Sequence, residues 1–424
     1  MNIDDLIYLQ NPWFRDPAYV PYEDNLLKRD VFRDVVKDVK ETRQVVSIVG
    51  LRRVGKSTLL KQVIAHLLKE GSIRKEDVFY FSFDQPTVIS SSQTLENVIN
   101  FYIKSILHKD LHKISDKKYL FFDEIQLIPY WSDVLKRYYD LTNHFKFTVS
   151  GSTSLFIQGK SKESLAGRIF EIYMPPLSFS EYKRLSERRD IVSFLDFGQF
   201  PELLEFKDNN KKIEYLKEGV IGKVLEHDIP KNYGVRKTLE FERLFWSLLA
   251  NTGQIIESGN LMSELALKKA TFFKYLLILE KSLLTNKILN LSGSFRSEKR
   301  LLRKLYPASS NFLTLMPEPM SVGFKAETYV CSVLKSVKKE VFLYNHRGKE
   351  VDFVLPGEKV AIEVKYKERI NPKNCEFLEN FIKKANFKGI VVSKSYKDLT
   401  LRKNLVFVPL SEFDTYTQNT LILR

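Results

Sequence analysis

Residues 50–58 read GLRRVGKST, a fit to G-x-x-x-x-G-K-S with a further hydroxyl at Thr58. The spacing suits a polyphosphate. Gly50 and Gly55 let the backbone turn so that its N–H groups face a phosphate chain. A helix starting at the end of the loop adds partial positive charge at the same place. Lys56 is long enough to reach the outer phosphates, and Ser57 offers its hydroxyl to Mg²⁺. Arg53 and Thr58 belong to the same loop and are expected among the nucleotide contacts. The second acidic requirement of ATP hydrolysis is met at residues 119–124, YLFFDE. Asp123 is expected to hold Mg²⁺ through water and Glu124 to polarise the attacking water. Two further positions are candidates. Ser150 or Ser152, in SGSTS, could sense the γ-phosphate, or could simply form a tight polar turn. Arg168 could act as an arginine finger in this subunit or a neighbouring one, or could be a structural arginine bonded to backbone or acids.

These side chains act only if the chain places them together, and the flanking patterns favour that. QVVSIV (44–49) reads as a short buried strand before the loop. LLKQVIAHLL follows it, with Leu60, Val63, Ile64 and Leu67 on one helical face. Strand, glycine loop and helix thus occur in the required order, which argues against a chance match in a basic loop. VFYFSFD (78–84) reads as a second strand. Four apolar residues before Asp123 suit a buried parallel strand ending at the nucleotide. Further strands are expected at 145–149 and 169–173.

The middle of the chain reads helical from 213 to about 249, with Phe241, Leu244, Phe245 and Leu248 at i, i+3, i+4 and i+7. LMSELA and LKKATFFKYLLILEK then suggest two helices joined by a short turn. In the second, Phe272, Tyr275, Leu276 and Leu279 form the buried stripe, leaving Lys268, Lys269, Thr271 and Lys274 on the open side. That is helix-turn-helix geometry. NKILNL could start a wing, and residues 292–304, with Arg296, Lys299, Arg300, Arg303 and Lys304, would form its basic tip. The alternative is a helical lid that makes protein contacts only.

In the last third, Glu327 lies near the start of an expected helix (323–334). Asp352 lies in the second strand of an expected hairpin turning at Arg347 and Gly348. Glu363 and Lys365 share one face of the strand 359–367, while Val360, Ile362 and Val364 point to a core. Glu-x-Lys alone carries little information, but the ordered set resembles the restriction-endonuclease-like nuclease fold over roughly the last hundred residues. The resemblance implies that Asp352 and Glu363 hold Mg²⁺ or Mn²⁺, that Glu327 completes the metal shell or activates water, and that Lys365 orients the attacking water and stabilises developing charge.

A wider resemblance rests on GLRRVGKSTLL, FFDEIQ, SGSTS, LAGR and PLSFSEY, in that order. Together they resemble a family of archaeal and bacterial AAA-like P-loop ATPases. The resemblance implies a parallel sheet of the additional-strand type, a place for Arg168 in the ATP site, and a winged helix in the middle region. Gln126 matches the family's Gln after the acidic pair, with no physical role legible from sequence. The family's GGFPE stands here as GQFPE, Gln199 replacing a glycine, so the role of that loop is open.

Bulk properties bound the rest. At 424 residues the chain is too long for one core. Its net charge of +15 favours polyanionic partners, or reflects a lysine-rich solvated surface. Cys331 and Cys375 lie far apart and form neither a disulfide framework nor a zinc pair. No signal-peptide pattern and no apolar stretch long enough to span a bilayer appears, so a cytoplasmic, non-membrane protein is expected.

The expected architecture is α/β: a P-loop ATPase domain over 1–180, a helical and winged-helix domain over 181–310, and a restriction-endonuclease-like domain over 311–424. The expected function is ATP hydrolysis coupled to DNA binding and metal-dependent cleavage, with ATP and Mg²⁺ as cofactors and Mn²⁺ an alternative at the nuclease-like site. DNA is the expected partner, and a homo-oligomer is open. The alternatives are a nucleotide-controlled switch whose nuclease-like domain only binds a partner, and a helicase or translocase ring.

Overall fold

The computed structural model describes residues 2–85, 88, 90–151, 164–291, 303–337, 339–370, 375–402 and 404–422. The chain divides into two compact units, Met1–Met174 and Pro175–Arg424.

The first unit is built on five strands: β1 (Val45–Val49), β2 (Val78–Ser82), β3 (Lys118–Asp123), β4 (Phe145–Gly151) and β5 (Ile169–Tyr173). They run in the order β2-β3-β4-β1-β5, every neighbouring pair parallel. The central strands are apolar because helices cover both faces; β1 and β3 are buried throughout. The helix Lys56–Leu68 buries Leu60, Val63, Ile64 and Leu67, the stripe expected from its spacing. Phe79, Phe81, Phe122, Phe145 and Phe147 fill the core with the helices Ser92–Phe101 and Trp131–Leu141. Each such ring contributes roughly 1.5–3 kcal/mol by leaving water. The order places β4 between the loop strand β1 and the acid-bearing strand β3, so their C-terminal ends converge. This is the additional-strand arrangement that the family resemblance implies.

The second unit carries an eight-stranded mixed sheet, ordered β12-β13-β11-β10-β9-β8-β6-β7. Its members are β6 (Thr285–Asn290), β7 (Arg303–Pro307), β8 (Phe342–His346), β9 (Lys349–Leu355), β10 (Val360–Lys365), β11 (Lys388–Ser393), β12 (Asp398–Arg402) and β13 (Leu405–Pro409). The turn between β8 and β9 has Arg347 at φ 52° and Gly348 at φ 78°, the paired left-handed residues of a tight hairpin. One face of the sheet packs Phe353, Val360 and Ile362 against Ala326, Tyr329 and Val330 of the helix Val322–Ser336. The other packs Val354, Ala361 and Val391 against Leu378 and Ile382 of the helix Glu376–Ala385.

The two-helix motif is present as Ser258–Glu264 and Lys269–Lys281. Phe272, Tyr275, Leu276 and Leu279 are buried, and Lys268, Lys269 and Lys274 exposed, as their spacing predicts. The antiparallel pair β6–β7 follows, with Ile255 bridging to Lys304 as a third short element. The tip itself, with Arg296, Lys299 and Arg300, lies outside the described residues, as do the side chain of Arg303 and the whole of Ser152. The helical middle region begins at Asn209, breaks at Gly234 (φ 63°) and resumes over Thr238–Ala250.

The expected first boundary, at 180, lies six residues beyond the division between the units. The expected boundary at 310 falls inside the second unit, whose sheet runs across it: β6 pairs in parallel with β8 at Leu289–Phe342 and Asn290–Leu343.

Candidate functional site

The phosphate loop leaves β1 at Gly50, where a Cβ would collide with the carbonyl oxygen of Met174. It enters the helix at Gly55, whose φ of 97° is strained for any other residue. Arg53 also takes a left-handed φ of 67° and is exposed at the crest, while Ser57 and Thr58 are partly buried in the first helical turn. Lys56 is buried, and its ammonium donates to the carbonyl oxygens of Gly50 (3.2 Å) and Leu51 (2.9 Å), which holds it across the inside of the loop.

Asp123 ends β3, 2% exposed. It accepts from the Tyr80 hydroxyl at 3.2 Å, from the Glu124 N–H at 3.1 Å and from the Ser150 hydroxyl. Ser150, fully buried near the end of β4, is thus held to the acid by its hydroxyl. Tyr80 joins it because β2 lies beside β3. Glu124 follows in a left-handed conformation, φ 52°, which turns its side chain out of the strand's alternation. Burial pushes its carboxyl above the usual value, while the charge of Lys56 and a hydrogen bond from Gln126 act in the opposite direction. Gln126 therefore has a physical role: its amide donates to the Glu124 carboxylate and aims it.

Ser57, Asp123 and Glu124 line one cleft of about 440 Å³. Its opposite wall comes from the N-terminal segment, with Trp13, Tyr19 and Tyr22, and Lys61 and Glu23 pair at 2.8 Å along the rim. The sequence reading missed this wall. Its trace was the density of aromatics and prolines in residues 12–22.

Arg168 does not join this cleft within the same chain. It precedes β5, and Val45–Ile169 is the first register pair of β1 and β5, so it sits at the strand starts, the edge opposite the phosphate loop. Five strand residues at ~3.3 Å each put roughly 16 Å of sheet between them. There Arg168 pairs with Asp140 at 3.1 Å, near the Tyr139 ring.

The PLSFSEY motif is structural: Ser178 and Glu181 form a reciprocal cap on the helix Phe179–Ser186. So is the altered glycine. Gln199 is buried, and its side-chain oxygen accepts from the Ser309 hydroxyl at 2.5 Å and the Ser310 N–H at 2.8 Å.

In the second unit the nuclease-like residues approach one another, but not as expected. Asp352 on β9 accepts from the Val364 N–H at 2.8 Å. Glu363 on β10 is 6% exposed because a helix covers its face of the sheet. One of its oxygens is 2.5 Å from the Lys365 ammonium; the other is buried and accepts no hydrogen bond. Burial raises the Glu363 and Asp352 carboxyls above their usual values, with the neighbouring lysines opposing it. Glu327 is raised to about 7, first by burial and then by the charge of Asp352. Its Oε1, however, accepts from the Tyr306 hydroxyl and lies 3.5 Å from the Lys304 ammonium, which is itself 2.6 Å from Glu350. Among the described residues no group of three or more His, Cys, Asp or Glu is arranged to hold a metal ion. The expected three-carboxylate shell of Glu327, Asp352 and Glu363 is therefore not assembled, because a lysine from β7 stands among the acids. The pair Asp352 and Glu363 remains, with a buried oxygen lacking a donor. That fits an ion that keeps several waters and takes one or two carboxylates.

The first unit, by its strand order, its loop and the acids at the end of β3, is a P-loop nucleotide-binding domain. Residues 42–183 match the family model of an AAA domain, and residues 188–309 and 322–413 match two domains of unknown function, DUF8612 and DUF4143. An uncharacterized protein of Haemophilus influenzae is 23% identical over 401 residues, covering 88% of this chain and 95% of that one. An uncharacterized protein of Methanocaldococcus jannaschii is 28% identical over 354 residues, covering 78% and 76%. Among solved structures, the Aeropyrum pernix ORC1 protein in complex with DNA aligns with a TM-score of 0.32 at 13% identity, over 73% of this chain and 97% of that one. Among the described residues no helix is long and apolar enough to cross a membrane.

Proposed function

We propose that this chain is an ATP-hydrolysing protein that acts on DNA. The observation that carries the ATPase part is the single cleft lined by Ser57, Asp123 and Glu124, with the phosphate loop beside it and Gln126 aiming the glutamate. The loop N–H groups and Lys56 bind the phosphate chain. Ser57 and Asp123 would hold Mg²⁺, whose chemistry there is to neutralise charge on the outer phosphates. Glu124 takes a proton from the attacking water. Arg53 and Thr58 contact the nucleotide from the loop, and Ser152 keeps the γ-phosphate-sensing role read from its place in SGSTS. Arg168, at the far edge of the sheet, fits the finger role only toward a second copy, which makes a homo-oligomer part of the proposal.

DNA contact is assigned to Lys268, Lys269 and Lys274 on the open face of the helix Lys269–Lys281 and to the basic wing, through phosphates. In the restriction-endonuclease-like region, Asp352 and Glu363 would hold Mg²⁺ or Mn²⁺, which would polarise the phosphodiester. Lys365, fixed by Glu363, steadies charge developing on the cleaved phosphate. The domain plan follows: ATPase to about 180, winged helix to about 310, nuclease-like fold to 424, in the cytoplasm.

A second reading has its own support. Lys304 among the carboxylates favours a nucleotide-controlled switch whose last domain binds without cutting. The deciding experiment follows ATP turnover and cleavage of end-labelled single-stranded, duplex and forked DNA by wild type, Glu124→Gln and Asp352→Ala. Cutting by wild type and not by Asp352→Ala excludes the pure switch. Turnover indifferent to every DNA tested removes the coupling. Equal turnover in Glu124→Gln removes the assignment of the base.

A further inference from the structure

The acid cluster of the second unit holds four carboxylates, Glu327, Glu350, Asp352 and Glu363, and two lysines. Lys365 is the lysine of the Glu-x-Lys pair. Lys304 comes from elsewhere: it lies on β7, in the winged-helix hairpin. It shares its strand face with Tyr306, two residues on, and both point at Glu327. Lys304 is 2% exposed, so its ammonium has given up nearly all its water. Such a charge persists only where anions replace the solvent. Glu350 at 2.6 Å and Glu327 at 3.5 Å do so, with Asp352 close enough to act on it electrostatically. The other half of the cluster is different. At Glu363 one buried carboxylate oxygen accepts no hydrogen bond, while Lys365 engages the other.

We propose that Lys304 is the built-in cation of this cluster: its ammonium occupies the Glu327–Glu350 side, excludes a divalent ion from it, and leaves Asp352 and Glu363 as a site for one ion. The inference rests on the reading of Asp352 and Glu363 as a metal-binding pair and deepens it by naming what limits metal uptake. A single positive charge balances two carboxylates poorly, but it is covalently attached and cannot be diluted away. A divalent ion must therefore compete with a ligand of very high effective concentration. Removing the ammonium while keeping its length should turn the competing half into a second place for metal.

The test is Mn²⁺ binding to the full-length, nucleotide-free protein, followed by the electron paramagnetic resonance signal of free Mn²⁺ and by calorimetry. Wild type, Lys304→Met, Lys304→Arg and Asp352→Ala are compared, with urea melts to establish folding. The expected result is one Asp352-dependent Mn²⁺ in wild type and in Lys304→Arg. Lys304→Met should gain a second ion or bind the first at least tenfold tighter. Lys304→Gln takes its place if the methionine variant is unfolded. Identical stoichiometry and affinity in wild type and the uncharged variant would overturn the role of Lys304 while leaving the metal pair intact. If wild type binds no Asp352-dependent Mn²⁺, the metal-pair reading fails for the native chain. In that case uptake by Lys304→Met still supports exclusion by the ammonium, and no uptake overturns it.

Discussion

Replacing Gln126 by Leu tests the ATP site at a residue that touches no phosphate in the proposed arrangement. Gln126 donates to the Glu124 carboxylate, so its amide favours the ionised form. Burial already raises that carboxyl, so losing a contact that favours the ionised form should raise it further. A hydrogen bond to a charged group is worth about 1.5–3 kcal/mol, and about 1.4 kcal/mol corresponds to a factor of ten in ionisation. A base must be deprotonated to work, so Gln126→Leu should move the acid limb of the kcat profile toward higher pH. On that limb the rate should fall roughly tenfold or more by the same conversion. On the alkaline plateau, where Glu124 is ionised in both proteins, the loss should shrink to what misaiming alone costs. The assay is steady-state ATP turnover from pH 5 to 9 at saturating ATP, with Gln126→Glu as a comparison that opposes ionisation by charge. A variant profile parallel to wild type at every pH would refute the electrostatic role and leave Gln126 a packing residue.

Other perturbations have equally definite outcomes. Glu124→Gln should retain ATP binding by calorimetry and lose turnover by about 10²-fold or more, the usual size of a general-base contribution, whereas Lys56→Ala should lose binding itself. Arg168→Ala and Lys56→Ala should each be inactive, yet mixing them should restore part of the turnover if Arg168 serves a neighbouring copy; no recovery, with mixed assemblies formed, removes that role. Lys118 is fully buried against Asp77 at 2.7 Å, so Lys118→Met should cost about 3 kcal/mol in urea unfolding. Burial would raise the Asp77 carboxyl, but Arg74 and Lys118 outweigh it and hold it below the usual value. Its contribution to stability is therefore present above the unfolded carboxylate pKa and lost as pH falls through the lower folded one, a loss that Lys118→Met should diminish. Lys146 behaves in the opposite sense: burial, then the charge of Lys117, lowers it to about 7 from 10.5, so the unfolded chain binds more protons between those values. Stability should rise with pH across that window, and Lys146→Met should flatten the rise.

The parts of this fold that were legible in the sequence were those written in local pattern. The glycine loop between a β-branched strand and a helix, the apolar run ending in Asp123 and Glu124, and the stripe of Phe272, Tyr275, Leu276 and Leu279 all fall where periodicity places them. What was hidden depends on contacts between distant segments. The spacing of Glu363 and Lys365 says that they share a face, but not that the helix Glu376–Ala385 covers it and buries the glutamate. Arg168 lies just before a strand that is easily read, yet only the parallel register of β1 and β5 shows that it is at the wrong edge for its own cleft. Lys304 was read as part of a basic tip, because a lysine among arginines looks solvated; 23 residues separate it from Glu327 and 46 from Glu350. Gln199 looked like a blemish in a glycine motif and is a knot that ties residues 199 and 309–310 together.

The joint between β6 and β8 has a practical consequence for the inheritance of these parts. The family matches end at 309 and begin again at 322, as though two modules could be exchanged. The sheet does not respect that seam: Leu291 donates to the Leu343 carbonyl at 2.7 Å, and the Asn345 N–H donates to Asn290 at 2.8 Å. A fragment cut at 310 would carry β8 as a raw edge, open to pairing with other chains. It would also lose Lys304 and Tyr306, so Glu327 and Glu350 would meet water, protons or buffer metal in place of their native partners. Activity seen in such a fragment would belong to a different chemical object from the intact protein. Neither segment carries the charge balance of its own interior.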